Sequence, residues 1–315
     1  MSSLAVGFSG NSIRLAAISE EKKLTYISEL ETDFDFDREI PNHFNDQHLI
    51  NELSSVIAEK IKKVPDIDSH GLSVLINTAQ TFCTVIPLDM DGEEQIVSSN
   101  ILWDLSMYFP EEYENFNVNY FRMGKVYDHD SIYKILILAV DKNVINFYRS
   151  IFSEFDVNIE IFDTDHFAMG KYINEFYFNK LNEPYAIFGL KPSRIDISVY
   201  DKDELKHYSY TSTGELDFKR ELDKELNSLE TCGCFNEIKS IFIYGESLLE
   251  SVKDYLVKKY PDKEIVLLDP FDNFSIEDGV VDSPEEELLK FSSASRFAPL
   301  FGIALKELAT GVQEK

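Results

Sequence analysis

The sequence of 315 residues has few cysteines, no long apolar run and no basic segment at its start. Its three cysteines are too few for a disulfide framework, which is typical of proteins in a reducing cytoplasm. The longest apolar run, 135–140, is far shorter than the ~20 residues that cross a bilayer. Residues 1–7 lack the basic stretch with which a signal peptide begins. The sequence therefore predicts a cytoplasmic protein that does not insert directly into a membrane.

Basic residues are also scarce. The chain has 30 Lys and Arg against 57 Asp and Glu, which gives a formal net charge of −27. So much negative charge repels phosphate groups, so we expect neither nucleic acid nor an anionic lipid surface as a partner. Apolar residues make up 44% of the chain, including 24 Phe and 16 Tyr, which is enough to fill one large or two medium cores. The apolar content therefore predicts a folded protein, and the net charge favours a basic partner for it.

Common enzyme and metal motifs are missing. The chain contains no P-loop, no Gly-x-Ser-x-Gly and no dinucleotide-binding glycine motif. Cys232 and Cys234 have no second pair of Cys or His nearby to complete a zinc site. Acids alternate at 33–37 as in a calcium loop, but Arg38 follows where that loop needs glycine, which predicts a plain loop or edge strand. No catalytic residue and no metal site is predicted.

The order of apolar segments repeats along the chain. A meander of three strands, a helix and a buried strand come first, and the same βββαβ order returns about 180 residues later. Asn45 and Asp46 are capping candidates for the first of these helices. This order predicts an α/β fold of mixed sheets with two ribonuclease H-like lobes. The predicted segments are strands 4–8, 13–18, 24–30, 72–76, 186–190, 195–200, 205–210 and 241–244, with helices from 49 to 61 and near 216–226.

Extra elements lie between the two repeats. A helix at 93–108 and strands at 118–122 and 133–140 predict a small subdomain, at about 88–141, inserted in the first lobe. The lobes are expected at 1–180 and 181–315, with a last helix at about 297–310 that packs back on the first lobe. On the helix at 93–108, Trp103 shares one face with Ile96, Asn100 and Met107. This spacing predicts that the Trp103 side chain is buried as a packing anchor. The acidic stretch 270–290 predicts an exposed loop.

Four segments resemble the PilM family, the cytoplasmic actin-like component of type IV pilus assembly within the actin-like ATPase superfamily. They are 100–110 with 117–121, 161–169, 241–247 and 296–305. The resemblance implies a nucleotide cleft between the lobes. It also implies a groove, formed by the first lobe and the inserted subdomain near 118–121 and 133–140, that binds a short cytoplasmic peptide of a membrane protein. Such tails carry excess Lys and Arg, which suits the negative charge of this chain.

The resemblance also places the two hairpins that would surround the phosphates, at 6–14 and 188–196. Gly7 and Gly189 stand where the family has the Asp that orients metal-bound water, and Pro192 has no N–H to offer a phosphate. Glu246 adds an acid where the nucleotide would approach. The residues of this remnant nucleotide cleft are Ser9, Gly10, Asn11, Ser12, Gly189, Lys191, Ser193, Gly245 and Glu246.

Asp163, Asp165 and His166 form the remaining polar cluster, and the position of Asp165 before an apolar helix favours helix capping over catalysis. A ribonuclease H-type nuclease would need an acid on strand 4–8, which has none. We therefore expect a non-catalytic, PilM-like scaffold or adaptor without a cofactor, held at the inner membrane through the basic tail of a partner. Two alternatives remain: a divergent phosphotransferase that binds ATP, and an actin-like protein with a role unrelated to pili.

Overall fold

A computed structural model describes residues 2–66, 70–91, 94–126, 131–155, 159–202, 204–214, 217–231, 233, 235–247, 249–277, 280 and 294–311. The strands are β1 (Ser2–Ser9), β2 (Ser12–Ser19), β3 (Lys23–Glu31), β4 (His70–Ile76), β5 (Thr81–Asp89), β6 (Phe116–Lys125), β7 (Ile132–Asp141), β8 (Ile159–Thr164), β9 (Tyr185–Leu190), β10 (Arg194–Asp201), β11 (Glu204–Ser212), β12 (Ser240–Gly245), β13 (Glu264–Leu267) and β14 (Ser275–Ile276). The helices are α1 (Ile40–His43), α2 (Gln47–Ile61), α3 (Glu94–Tyr108), α4 (Lys142–Ile151), α5 (Asp165–Phe176), α6 (Phe218–Thr231), α7 (Leu249–Lys259) and α8 (Ala298–Gly311).

Two sheets with the same internal order form the two lobes. The first has the order β14-β3-β2-β1-β4-β8 and the second β11-β10-β9-β12-β13. In each, a three-strand antiparallel meander is followed by strands that run parallel to its first strand. The central strands are buried along almost their whole length, which explains their continuous apolar sequence. The predicted pair of βββαβ lobes is confirmed.

Helix α8 lies on the first lobe, against α5, β1 and β4. Gly302 permits this close approach, because a Cβ there would stand 2.3 Å from the carbonyl oxygen of Ala168. The buried carboxylate of Glu307 accepts hydrogen bonds from the hydroxyls of Ser3, at 2.8 Å, and Ser73. Burial raises the pKa of Glu307. These bonds hold helix α8 on the sheet that contains β1 and β4.

A third sheet, of order β5-β7-β6, forms the inserted subdomain. Helix α3 covers one face of it, where Ile135 and Ile137 are buried. The other face buries Leu136 and Leu138 together with residues of α5 and β11. Strand β5 lies mostly before the expected boundary at 88 and was not predicted, because its Pro87 argues against a strand. The structure accommodates this proline on a strand at the edge of the sheet.

The prediction that Trp103 is buried is wrong. Its side chain is 65% exposed, and its neighbours on the same helix face, Ile96 and Met107, are 53% and 68% exposed. Helix α3 instead rests on Val97, Ile101 and Leu105. Because this helix carries apolar residues on both faces, its periodicity does not indicate which one is buried.

Other expectations fall on loops or outside the described residues. Residues 33–37 were predicted to form a plain loop or an edge strand, and they form the loop between β3 and α1. Cys232, Cys234 and, of the acidic stretch 270–290, all residues from 278 onward except 280 lie outside the described residues. The described part of that stretch is not only a loop, since it contains a short helical turn with a buried Pro270 and strand β14. In the described part of the chain, no helix combines the length and apolar character needed to span a membrane.

Candidate functional site

The cleft between the lobes is enclosed by three turns: the β1–β2 hairpin, the β9–β10 hairpin and the turn after β12. Their backbone N–H groups already have partners inside the protein. Gly10 N donates to Asp37 Oδ1 at 2.8 Å, Lys191 N donates to the Arg194 carbonyl at 2.9 Å, and Glu246 N donates to the Leu190 carbonyl at 2.8 Å. These are the kinds of amide that would surround a phosphate in an anion-binding turn.

A buried ammonium joins the two lobes inside this cleft. Lys191, which follows β9 in the second lobe, reaches Asp165 Oδ2 of the first lobe at 2.7 Å and Asn77 Oδ1 at 3.1 Å. It also donates to the hydroxyl of Thr78 and lies 3.4 Å from Asp196 Oδ2. We call these five residues the cleft network. Burial lowers the pKa of Lys191, but the two carboxylates outweigh it and raise the pKa above its usual value, so the ammonium stays charged.

Asp196 is the innermost acid of the cleft network. It lies on β10 opposite Gly189 and has no exposed surface. Its Oδ1 accepts from Arg194 Nε and from the Tyr208 hydroxyl, both at 2.8 Å. Burial raises its pKa, but the charges of Lys191 and Arg194 prevail and hold the pKa well below its usual range. Asp196 is not among the residues predicted for the cleft.

A second ion-paired group lies beside the first. Arg14 on β2 donates to Glu246 Oε1 and to Glu29 Oε1, both at 2.7 Å. Ser9 Oγ donates to the same Glu246 oxygen at 2.9 Å, and Arg296 pairs with Glu29 at 2.6 Å. Burial raises the pKa of Glu246, but Arg14 outweighs it and the pKa is lowered. A stable carboxylate therefore stands where the phosphates of a nucleotide were expected.

Asp37 connects the two hairpins. Besides Gly10 N, its Oδ1 accepts from Asn77 Nδ2 at 2.7 Å, and its Oδ2 accepts from Ser193 Oγ at 2.9 Å. Burial raises the pKa of Asp37, which the hydrogen bond from Gly10 and the charge of Lys191 partly offset. Both hairpins are thus tied to one carboxylate from the loop after β3.

The interpretation of Asp165 as a helix cap is incomplete. Thr164 holds the cap position of α5 without a side-chain hydrogen bond, and Asp165 Oδ1 accepts from His166 N in the first turn at 2.8 Å. Asp165 also accepts from Thr78 N at 3.1 Å and from Thr78 Oγ1 at 2.7 Å, in addition to its pair with Lys191. The neighbouring His166 is buried between Tyr244 and Ser198, at 3.0 and 2.9 Å. Burial lowers the pKa of His166 to about 4, so the ring is neutral near pH 7.

The residues present do not fit a magnesium nucleotide. A Cβ on Gly189 would stand 2.5 Å from the Tyr244 hydroxyl, so an acid there would require Tyr244 to move, and one on Gly7 would crowd Leu300 Cδ2 at 3.1 Å. The cavity lined by Gly7, Lys191 and Glu246 measures about 30 Å³, which is room for about one water, whereas ligand pockets usually measure ~300–1,000 Å³. A second space between the lobes, lined by Asp37 and Ser193, measures about 250 Å³ and is also below that range. Lys191 supplies the positive charge that a metal ion would bring to Asp165 and Asp196.

The structure brings most of the predicted cleft residues together. Ser9, Lys191 and Ser193 bond across the cleft as described, and Gly10 bonds to Asp37 within the first lobe. Gly245 ends β12 and Glu246 follows it; Gly245 has a φ of +130°, and a Cβ there would stand 2.1 Å from the Leu190 carbonyl oxygen. Two residues take no part: Asn11 is exposed at the hairpin tip and Ser12 begins β2. The cleft residues that the sequence analysis missed or assigned elsewhere are Asp37, Asn77, Thr78, Asp165 and Asp196.

A separate groove lies between the first lobe and the inserted subdomain, and we call it the subdomain groove. It has a volume of about 170 Å³. Asn119, Phe121 and Leu138 line its subdomain wall, and Phe162 and Asp163 of β8 line the opposite wall. It coincides with the region expected to bind a peptide. The acids nearest to it in sequence do not furnish a rim among the described residues: Glu111, Glu112 and Glu114 do not line it, and Asp128 and Asp130 fall outside the described residues.

Comparisons with known proteins bear on the fold. Neither a protein-family model nor a curated protein matches the chain. Among solved structures, a chain of the PilM-PilN type IV pilus biogenesis complex matches 97% of this chain and 98% of its own length, with 11% identity and a TM-score of 0.75. The ethanolamine utilization protein EutJ from Carboxydothermus hydrogenoformans matches 97% of this chain and 89% of its own length, with 8% identity and a TM-score of 0.50. The predicted PilM-like, actin-like ATPase fold is confirmed.

Proposed function

We propose that this protein is a non-catalytic, PilM-like adaptor whose nucleotide cleft has been replaced by internal ion pairs, and which binds a peptide of a membrane-anchored partner. One observation carries the proposal: the ammonium of Lys191 holds Asp165 and Asp196 at 2.7 and 3.4 Å, beside a cavity of only about 30 Å³. A kinase or ATPase needs these acids free for a metal ion. A phosphotransferase of the same fold would have to withdraw a buried, charged lysine in every cycle.

The subdomain groove is the proposed peptide site. Its walls combine apolar side chains with the amides of Asn117 and Asn119, and the acid Asp163 lies at one side. Strand β8 is the last strand of its sheet among the described residues, so its outer edge offers backbone groups to an extended peptide. The matching chain comes from a PilM-PilN complex, which supports a protein as the partner.

Charge supports a basic tail as the ligand. Cytoplasmic segments next to a membrane helix are enriched in Lys and Arg, and a chain with a net charge of −27 attracts them over a distance. Asp163 is already paired with Lys306, so a cationic side chain of the ligand would compete for its carboxylate. Binding through such a tail would place the protein at the cytoplasmic face of the membrane.

The test uses synthetic cytoplasmic tails of membrane proteins encoded beside this chain, titrated by calorimetry. Asn119→Trp fills the groove from an exposed position and should weaken binding at least tenfold, while Asn51→Trp on α2 is the matched control. Binding should also weaken as salt rises, since exposed charges are screened within about 8 Å at physiological ionic strength. If both variants bind equally well, or if no tail binds at all, the adaptor proposal is wrong. The protein would then share only the fold and would have a role unrelated to pili.

A further inference from the structure

Helix α3 presents an apolar stripe to solvent, which we call the α3 face: Ile96, Trp103 and Met107. At 100° per residue, these side chains fall within about 40° of one another on the helix. They span 11 residues, or about 16 Å at 1.5 Å per residue. They are 53%, 65% and 68% exposed. Single exposed apolar residues need no explanation, but three large ones on one helix face, with only Asn100 among them, mark an interaction surface.

Acids outnumber bases around the α3 face, although Lys142 donates to the carbonyl of Glu114 beyond the end of the helix, at 2.6 Å. No Lys or Arg occurs between Lys63 and Arg122. Glu94 lies in the first turn of the helix, and the acidic stretch 111–114 follows its end, where the helix dipole is also negative. Asp104 stands beside the stripe, has no hydrogen-bond or ion-pair partner among the described residues, and has its pKa raised by partial burial.

We propose that the α3 face docks an amphipathic helix of a partner protein, one whose apolar residues are flanked by Lys or Arg. Apolar side chains spaced three and four residues apart would pack along the stripe, because helix pairs bury such rows against each other. Lysines or arginines beside them would pair with Asp104 and with the acids at the end of the helix. A lipid surface fits less well, since anionic headgroups would meet these acids.

This surface is independent of the subdomain groove. Helix α3 covers one face of the third sheet, with Val97, Ile101 and Leu105, whereas Phe121 and Leu138 of the groove lie on the other face. Two ligands can therefore bind the subdomain at once, one on each side of the sheet. An adaptor must bind two partners at once, but the binding proposed for the α3 face does not depend on whether a peptide binds in the subdomain groove.

Trp103 is the only tryptophan of the chain and reports directly on the α3 face. The probe is an 18-residue peptide of Leu and Lys in amphipathic helical order, without aromatic residues. A shuffled peptide of the same composition and a Leu–Glu peptide in the same order are its controls. We expect the Leu–Lys helix alone to shift the Trp103 emission to the blue in a saturable way. An equal shift with the shuffled peptide would overturn the proposal, as would a shift with vesicles of anionic lipid at comparable concentration.

Variants then locate the site, with the anisotropy of a labelled peptide as the readout. Met107→Glu should weaken binding at least tenfold and Asp104→Asn about threefold. Val257→Glu, at a 47% exposed position on α7, should leave binding unchanged. The exposed Trp103→Ala variant should melt within a degree or two of the parent, which shows that the subdomain stays folded. If Val257→Glu weakens binding as much as Met107→Glu, the peptide recognises overall charge and the proposal is wrong. Asn119→Trp should leave this binding intact even where it abolishes binding in the groove.

Discussion

Replacing Lys191 with Met would remove the ammonium that joins the lobes while keeping a side chain of similar length. The change leaves Asp165 and Asp196 facing each other in a buried cleft. Breaking a buried ion pair from one side usually costs 3–5 kcal/mol, because it leaves an uncompensated charge. Both acids keep other donors, Thr78 for Asp165 and Arg194 for Asp196, so we expect the lower end of that range, about 3 kcal/mol.

The loss should depend on pH in a defined way. The pKa of Asp196 is depressed in the folded protein, so its pairing stabilises the fold above the unfolded pKa of ~3.9 and the effect fades as pH falls below that value. The pKa of Lys191 is raised, so its contribution is complete below the unfolded pKa of ~10.4 and fades as pH rises through the higher folded pKa. The difference between parent and variant should therefore be greatest between about pH 5 and 10.

Urea denaturation at pH 7 measures the effect. Lys258→Met, at an exposed position on α7, removes the same charge outside the cleft and should change the free energy of unfolding by less than about 0.5 kcal/mol. In a double-mutant cycle, Asp165→Asn should cost less in the Lys191→Met background than in the parent, by about 1–3 kcal/mol. If Lys191→Met unfolds like Lys258→Met, the ammonium does not hold the lobes together and the account of the cleft is wrong.

Two further predictions concern the cleft and its neighbourhood. Gly189→Ala should destabilise the fold by about 1–3 kcal/mol, because the new Cβ would stand 2.5 Å from the Tyr244 hydroxyl. Gly124→Ala is the control and should not destabilise the fold, because no atom lies within 4 Å of its new Cβ. Equal melting temperatures of the two variants would contradict this prediction. Glu246→Gln should destabilise the fold by about 1–3 kcal/mol, since it weakens the partner of the buried Arg14 at 2.7 Å, and the loss should diminish under acid as the parent Glu246 itself becomes protonated.

Much of the fold could be predicted from the sequence because its elements have local causes. Strands β1 and β9 are continuous apolar runs because both of their faces are buried, and Asp46 caps α2 through a 3.1 Å bond from Leu49 N, as expected. Strand β5 was missed because a proline on an edge strand looks the same in sequence as a proline in a loop. The exposed face of α3 was taken for its buried face because both are apolar.

The cleft was harder to predict, because its bonds join residues far apart in sequence. Lys191 was predicted as a cleft residue but without its partner, since Asp165 lies on a helix of the other lobe. A signal for Asp196 did exist: it alternates with Ile195 and Ile197 on a buried strand, and a buried acid requires a cation nearby. Thr78 likewise follows the carboxyl end of the parallel strand β4, and α/β proteins place functional side chains at that end of their strands.

Calorimetric titration of magnesium-ATP into the parent protein tests whether the cleft can hold a nucleotide. Because Lys191 already supplies the charge that a metal ion would bring and the cavity beside it measures about 30 Å³, we expect no saturable heat up to millimolar nucleotide and no phosphate release over hours. Lys191→Met removes the competing charge but leaves Gly7 and Gly189 in place, so it should behave the same way. A dissociation constant in the low micromolar range for the parent, lost on Lys191→Asp, would contradict this expectation and establish the protein as a nucleotide-binding member of its fold.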